Sequence, residues 1–325
     1  MATGIRIGQL LEGKLGSYLV SAQVAKDIWT ATRSNPQGGR VIIKTAPKER
    51  LENERNVLRH FQGHPHIRQL LDETRDPPSM VLKYLDANLL DASGEKSIEG
   101  LDVKFVAKGI LQALQALHED GYTHTDIKPD NILVNNSKGP LRFSDVQLAD
   151  CGDVCRIDPG DVLKIEDYGP HMGAAIFRSP EAMLNLRWGP STDIWSFGAT
   201  LISLIWGLHY HIFKPDTKDA TIDDESFLMH VLIRQIAVFG PCPASYDSLI
   251  AKEDDARWDA LGGAVQFIMD NNRIKPFALA NDECLTEADK RFILRIMKLD
   301  PRDRPSAREL LEDEWFDDVP YAELQ

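Results

Sequence analysis

A short polar loop between two apolar runs constrains this chain more than any other feature. The loop is Tyr122-Thr-His-Thr-Asp-Ile-Lys-Pro-Asp-Asn-Ile-Leu-Val134, and it places a carboxylate, a cation and an amide close together at Asp126, Lys128 and Asn131. One carboxylate, one cation and one amide suit the transfer of a charged group, because that chemistry depends on positioning and charge neutralisation. The loop is therefore the first candidate for an active site.

The loop resembles the catalytic loop of protein kinases, H-x-D-x-K-x-x-N. The resemblance implies that Asp126 accepts a proton from a substrate hydroxyl and that Lys128 contacts the transferred phosphoryl group. It also implies that Asn131 holds a magnesium ion beside the phosphates of ATP.

Other landmarks of that family follow in its order along the chain. The strand Val41-Ile-Ile-Lys44 resembles V-A-I-K, whose lysine holds the α- and β-phosphates, and Asp150-Cys-Gly stands where the metal-binding D-F-G belongs. Later segments resemble the A-P-E, D-x-W-S-x-G and closing arginine landmarks: Phe177-Arg-Ser-Pro-Glu181, Asp193-Ile-Trp-Ser-Phe-Gly198 and Leu299-Asp-Pro-Arg-Asp-Arg304.

The acidic partner of Lys44 is expected on the helix that follows the strand. Residues 49–61 have apolar side chains at helical spacing, and Glu49, Glu52 and Glu54 all lie in that segment. The register of the family's C-helix favours Glu54, although the other two carboxylates share the helix.

The resemblance also assigns a nucleotide pocket, with ATP and Mg²⁺ as cofactors. Leu82 takes the gatekeeper position, Leu85 lies at the hinge and Leu133 is expected under the adenine. Lys44, Asn131 and Asp150 are expected at the phosphates and the metal. The remaining apolar positions expected around the adenine are Val20, Ile28 and Ile42.

The predicted fold class is α+β, the two-lobed protein kinase fold. The resemblance runs over residues 18–316 of the 325-residue chain. A small antiparallel β lobe with one helix is expected over residues 1–85. A larger, mainly helical lobe is expected over 86–325, with an insert near 213–279.

Three details point to a subgroup. Lys128 is typical of serine/threonine kinases, and Phe177-Arg-Ser-Pro-Glu181 resembles the group of cyclin-dependent, mitogen-activated and SR-protein kinases. The sequence His124-Thr-Asp126 is most similar to SR-protein kinases and to related fungal kinase-like proteins. An arginine-serine-rich or otherwise basic protein is the substrate that this resemblance implies.

Thr125 stands where most kinases carry an arginine that binds a phosphate on the activation loop. A threonine cannot make that bidentate ion pair. Residues 150–178 also contain no serine or threonine, and Tyr168 supplies the only hydroxyl side chain. We predict activity that does not depend on phosphorylation of this segment.

Four features depart from the kinase pattern, the phosphate-binding loop and three single positions. Ser21, Gln23 and Lys26 occupy the glycine positions of the phosphate-binding loop, which predicts a stiffer loop held farther from the nucleotide. Ile42, Cys151 and Ala174 replace the usual alanine, phenylalanine and threonine. These departures keep open the alternative of a pseudokinase that acts as a scaffold. A kinase-fold enzyme that acts on a small molecule is a second alternative.

Charge and composition limit the partners. Residues 1–85 carry 13 Lys and Arg against 8 Asp and Glu, whereas the rest carries 24 against 42. An acidic large lobe favours basic protein substrates and argues against nucleic acid. The longest apolar stretch, 197–208, is too short to span a membrane. Four cysteines without metal-ligand spacing predict reduced thiols in an intracellular protein of the cytoplasm or nucleus.

Overall fold

The computed structural model describes residues 4–34, 38–157 and 173–319. Its small lobe is an antiparallel sheet in the order β1-β2-β3-β4-β6-β5, joined by one helix, α1 (Lys48–His60). The chain leaves this lobe after Lys83 and enters the large lobe at Ala87. The six strands are β1 (Leu10–Glu12), β2 (Ser17–Ala25), β3 (Ile28–Arg33), β4 (Arg40–Lys44), β5 (Leu70–Arg75) and β6 (Pro78–Lys83).

Alternation along the strands gives the small lobe two apolar faces. On β4, Ile42 and Lys44 point toward the cleft between the lobes, whereas Val41 and Ile43 point away from it. Ile42 belongs to the main core. Val41 and Ile43 belong to a separate cluster on the outer face, with Ile5, Leu11, Tyr18, Val20, Trp29, Ala31 and Val81.

Helix α1 packs with one narrow stripe against the lobe. Glu54, Val57 and Leu58 are its buried residues. Its spacing of apolar residues is that of a helix with one buried face, and the helix carries charge on the rest of its surface. The exposed positions are Lys48, Glu49, Asn56, Arg59 and His60.

The large lobe is mainly helical. Helix α5 forms its centre, because residues 192–205 are all buried. The helices are α2 (Leu89–Glu95), α3 (Gly100–Glu119), α4 (Pro180–Met183), α5 (Pro190–Trp206), α6 (Phe227–Phe239), α7 (Asp255–Asp270), α8 (Glu287–Ile296) and α9 (Ala307–Leu311). The segment 213–279, expected as an insert, contributes α6 and α7.

Two small sheets of the large lobe carry the polar loops. Strands β10, β9 and β7 form one sheet in that order, and β8 pairs with β11. Their antiparallel pairing brings the ends of the loops 124–131 and 149–154 together below the small lobe. The strands are β7 (Ala87–Asn88), β8 (Tyr122–Thr123), β9 (Ile132–Asn136), β10 (Phe143–Leu148) and β11 (Cys155–Arg156).

The chain thus adopts the two-lobed α+β architecture that its sequence predicts. All four cysteines are free thiols. Among the described residues, no helix combines the length and the apolar character needed to cross a bilayer.

Candidate active site

A buried carboxylate of α5 fixes the start of the polar loop. The two oxygens of Asp193 accept the backbone N–H groups of His124 and Thr125, at 2.7 and 2.8 Å. His118 Nε2 lies 3.0 Å from the same carboxylate. Asp193 has no exposed surface, so these partners supply the hydrogen bonds that a buried carboxylate requires. The loop is therefore held to the buried central helix of the large lobe.

Asp126 stands at the centre of a polar cluster. Its Oδ2 lies 3.0 Å from Lys128 Nζ and accepts a 2.8 Å hydrogen bond from Asn131 Nδ2. Its Oδ1 accepts the backbone N–H of Ala174 at 3.2 Å. The three residues singled out in the sequence therefore lie together. At Ala174, where kinases usually have a threonine side chain, a backbone N–H contacts the aspartate instead.

Lys44 joins the two lobes through a pair of carboxylates. Its Nζ lies 2.7 Å from Glu54 Oε2 on α1 and 2.8 Å from Asp150 Oδ1 in the large lobe. Glu54 is fully buried, whereas Glu49 is exposed on the outside of the same helix. Of the three carboxylates that the sequence offered, Glu54 is the partner of Lys44.

Arg50 is a second cation on Asp150, and no motif in the sequence singles it out. Its Nη2 lies 3.3 Å from Asp150 Oδ1 and 2.9 Å from Asp153 Oδ2. Arg50 precedes Glu54 by four residues, so the two side chains share one face of α1. That spacing was the only available signal, and it is too common on helices to mark a site.

A buried ion pair joins α4 to the segment that precedes α9. Arg304 donates to both oxygens of Glu181, at 2.7 and 2.8 Å, and both side chains are buried. The guanidinium also lies over the ring of Trp195, 5.1 Å from its centroid.

A family model for the protein kinase domain matches residues 26–316. The chain belongs to the protein kinase family. A solved structure with the same fold is the crystal structure of the yeast RNA Pol II CTD kinase CTDK-1 complex. The match has a TM-score of 0.68 and 18% sequence identity, and it covers 93% of each chain.

The charges of the kinase site reinforce one another. Burial alone would lower the pKa of Lys44, but Glu54 and Asp150 outweigh burial and hold that pKa above its ordinary value. Burial would raise the pKa of Asp150, yet Lys44 and then Arg50 keep it below its ordinary value. Both groups are therefore charged at neutral pH.

The cation on the catalytic loop behaves in the same way. Burial opposes the charge of Lys128, but Asp126 and Asp130 hold its pKa above the ordinary value. Burial raises the pKa of Asp130, against the effect of Lys128. Lys128 thus keeps a positive charge beside the carboxylate of Asp126.

The oxygens at this site suit Mg²⁺. Asp150 offers a carboxylate, and the side-chain Nδ2 of Asn131 donates to Asp126 O and Oδ2, which leaves the Oδ1 of Asn131 for a cation. Among the described residues there is no group of three or more His, Cys, Asp and Glu side chains suited to a metal. A magnesium ion that arrives with nucleotide phosphates needs only one or two protein ligands of this kind.

Most of the apolar residues expected around the adenine lie on the cleft face. Ile42 pairs directly with Leu82, and Ile28 pairs directly with Lys44, so their side chains share one face of the sheet. Leu85 is buried at the crossing between the lobes. Leu133 is half-buried and alternates with the core residues of β9, which turns it toward the cleft.

The position of Val20 corrects one prediction. Val20 pairs with Ala31, which pairs with Val41, so Val20 lies on the outer face of the sheet and belongs to the outer cluster. A bulge between Val20 and Ala22 shifts the alternation of β2. Leu19, which pairs with Thr32, takes the cleft face instead, and the sequence contains no sign of this shift.

The β2–β3 hairpin folds without the usual glycines. Ser21, Gln23 and Lys26 are all exposed, and the hairpin turns at Lys26-Asp27. Ser21 Oγ lies 3.0 Å from Thr30 O and 2.9 Å from Thr30 Oγ1, which links the two strands through side chains. Two bulges, after Val20 and after Gln23, accommodate the extra residues.

Cys151 occupies the position of the D-F-G phenylalanine. It is completely buried, and burial raises the pKa of its thiol. Asp150, immediately before it, has a positive φ of 59°, a conformation that places its carboxylate beside Lys44.

Proposed function

We propose that this kinase is a serine/threonine protein kinase that transfers the γ-phosphoryl group of ATP to a protein hydroxyl. The observation that carries the proposal is the set of contacts around Asp126, whose Oδ2 meets both Lys128 and Asn131. The ion pairs of Lys44 with Glu54 and Asp150 lie across the same cleft and support it.

Each residue has a distinct part in the proposed reaction. Asp126 orients the substrate hydroxyl and accepts its proton, while Lys128 neutralises charge on the transferred group. Lys44 holds the nucleotide phosphates, and Glu54 holds Lys44. Asp150 and Asn131 would hold Mg²⁺, which would supply further charge neutralisation at the phosphates.

We also propose that this activity does not require a phosphate on the activation segment. Thr125 makes its side-chain hydrogen bond to the backbone oxygen of Asp153, at 3.0 Å, so it is already engaged within the protein. Tyr168, the only hydroxyl residue of segment 150–178, lies outside the described residues.

The proposed substrate is a basic protein, with arginine-serine-rich segments as the first choice. The excess of acidic residues beyond residue 85 supports this choice, because opposite charge speeds encounter and improves pairing. We also propose an intracellular location, in the cytoplasm or nucleus, which the four free thiols support.

The test is transfer of labelled phosphate from Mg-ATP to an arginine-serine-rich peptide and to a generic basic protein. Asp126→Asn should lower the turnover by at least about 100-fold, because it removes the proton acceptor. Asp223→Asn, on the exposed part of the large lobe, is the matched control and should keep full activity. Equal turnover in the wild type and Asp126→Asn would refute the proposed mechanism.

The glycine-poor hairpin favours a second candidate function, a scaffold that binds nucleotide weakly. No glycine occurs between Gly16 and Gly38, and side chains there limit how closely the backbone can approach phosphates. A melting assay with Mg-ATP separates the two functions, because a bound ligand raises stability with its concentration. If Mg-ATP neither stabilises the wild type nor leads to phosphate transfer, the scaffold function is favoured.

A further inference from the structure

Three successive backbone oxygens after Asp150 accept hydrogen bonds from side chains of other elements. Asn53 Nδ2, on α1, donates to Gly152 O at 3.0 Å and to Val154 O at 2.9 Å. Thr125 Oγ1, on the catalytic loop, donates to Asp153 O at 3.0 Å. Carbonyls 152, 153 and 154 are therefore held from both lobes.

Arg50, also on α1, contacts side chains of the same segment, residues 150–154. Its guanidinium contacts the carboxylates of both Asp150 and Asp153. Gly152 leaves room for this side chain, since a Cβ there would lie 2.6 Å from Arg50 Cγ and Nε. Arg50 and Asn53 are three residues apart on α1, so one face of the helix supplies both contacts.

The other end of α1 also contacts the large lobe. The ring of Phe61, directly after the helix, meets the ring of Tyr122 with 5.5 Å between centroids. His60 Nε2 contacts the carboxylate of Asp120. The exposed residues of α1 are all polar, and its partly buried Leu51 packs against the main core of the protein.

Thr125 adopts a conformation that threonine rarely takes. Its φ is +73°, in the left-handed region that is unfavourable for a β-branched residue. The two hydrogen bonds of the residue, from its N–H to Asp193 and from its hydroxyl to Asp153 O, hold it there. Strain maintained by its surroundings is characteristic of positions with a functional role.

We propose that Arg50, Asn53 and Thr125 are positioning residues that form a latch around residues 150–154. The latch fixes Asp150 and keeps Glu54 against Lys44 without a phosphate or a partner protein on α1. The inference rests on the proposed kinase function, and it names the residues that replace the usual arginine–phosphate contact.

The test uses the full chain, treated with phosphatase, and four variants. Thr125→Val removes the hydroxyl and keeps the β-branched shape, whereas Thr125→Ser keeps the hydroxyl. Asn53→Asp turns the donor into an acceptor facing two carbonyls, and Asn56→Asp makes the same change on the exposed face of α1. Turnover, KM for peptide and for Mg-ATP, and hydrogen exchange of residues 48–60 and 150–154 are measured for each.

We expect Thr125→Val and Asn53→Asp to lower turnover by about tenfold, because each loses hydrogen bonds at the metal-binding segment. The KM for peptide should not change, and exchange should become faster in both segments. Thr125→Ser and Asn56→Asp should match the wild type, an outcome that general loss of folding would not produce.

The proposed latch would be refuted if Thr125→Val had the same turnover and hydrogen exchange as the wild type. It would also be refuted if phosphatase treatment abolished the activity of the wild-type protein. A wild type without phosphate transfer would refute the proposed function instead. Hydrogen exchange of residues 48–60 and 150–154, which needs no catalysis, would then decide whether the latch exists.

Discussion

At the scale of single residues, Asp150 has the most unusual surroundings. Lys44 and Arg50 both contact its carboxylate, and Lys44 also contacts Glu54. Two cations on one carboxylate stabilise its negative charge. Arg50 Nη2 lies closer to Asp153 Oδ2, at 2.9 Å, than to Asp150 Oδ1, at 3.3 Å.

The lowered pKa of Asp150 predicts how its contribution to stability depends on pH. A carboxylate with a depressed pKa stabilises the folded state at pH values above its pKa in the unfolded chain, about 3.9. That stabilisation is lost as the pH falls through the pKa of the folded state. The free energy of unfolding should therefore be larger for the wild type than for Asp150→Asn, by about 1.5–3 kcal/mol.

That difference should stay constant from about pH 5 to pH 9, where the raised pKa keeps Lys44 charged, and shrink below about pH 4. Urea unfolding of both proteins across the pH range is the measurement. A difference that grew as the pH fell from 7 to 5 would show that the pKa of Asp150 is raised instead.

At the scale of elements, Gly173 approaches the catalytic loop closely. Gly173 has a φ of +54°, and a Cβ there would lie 2.7 Å from Thr125 O and 2.8 Å from Asp126 Oδ1. The next residue, Ala174, donates its N–H to the same Asp126 oxygen. Backbone alone fits between these two segments.

Gly173→Ala should push Asp126 out of position and lower turnover by about tenfold or more, since small displacements of catalytic groups are costly. The left-handed conformation should add about 1–2 kcal/mol of destabilisation. Gly262→Ala, in α7, adds the same methyl group where nothing lies within 4 Å and should leave turnover unchanged. Turnover and urea unfolding of both variants test this prediction. Unchanged turnover in Gly173→Ala would contradict it.

Regular elements could be predicted from the sequence, and departures from regularity could not. Apolar spacing predicted a helix over 49–61, and this is α1 within one residue at each end. The bulge in β2 that turns Val20 away from the cleft leaves no mark in an alternating pattern. Motif spacing found Asp126, Lys44 and Asp150, because their chemistry fixes their residue types.

Arg50 and Asn53 could not be found in this way. Both lie on a helix rich in polar residues, where nothing in the sequence separates a side chain in contact with another lobe from one in solvent. Their partners are also partly backbone oxygens, which are identical at every position of a chain. Only the packing of α1 against residues 150–154 distinguishes them.

At the scale of the whole molecule, the buried pair of Arg304 and Glu181 joins parts that are far apart in sequence. It connects α4, beneath the active site, to the segment that leads into α9. Arg304 also donates to the backbone oxygens of Lys298, Ser191 and Leu299. One guanidinium thus organises the base of the large lobe.

Arg304→Met should cost about 3–5 kcal/mol of unfolding free energy, because it leaves the buried carboxylate of Glu181 without its partner. Arg308→Met, which breaks an exposed pair with Glu119, should cost no more than about 1 kcal/mol. Adding Glu181→Gln to Arg304→Met should recover part of the loss. Chemical denaturation of the three variants tests this, and equal losses for Arg304→Met and Arg308→Met would contradict it.

The three carbonyls held after Asp150 bear on how such an enzyme is used. If its active arrangement is maintained by its own side chains, activity does not depend on a covalent mark added to this segment. The output would then follow the amount of enzyme made, its lifetime and the supply of substrate. Control would belong to gene expression and degradation, on a scale of hours, in place of signalling on a scale of seconds.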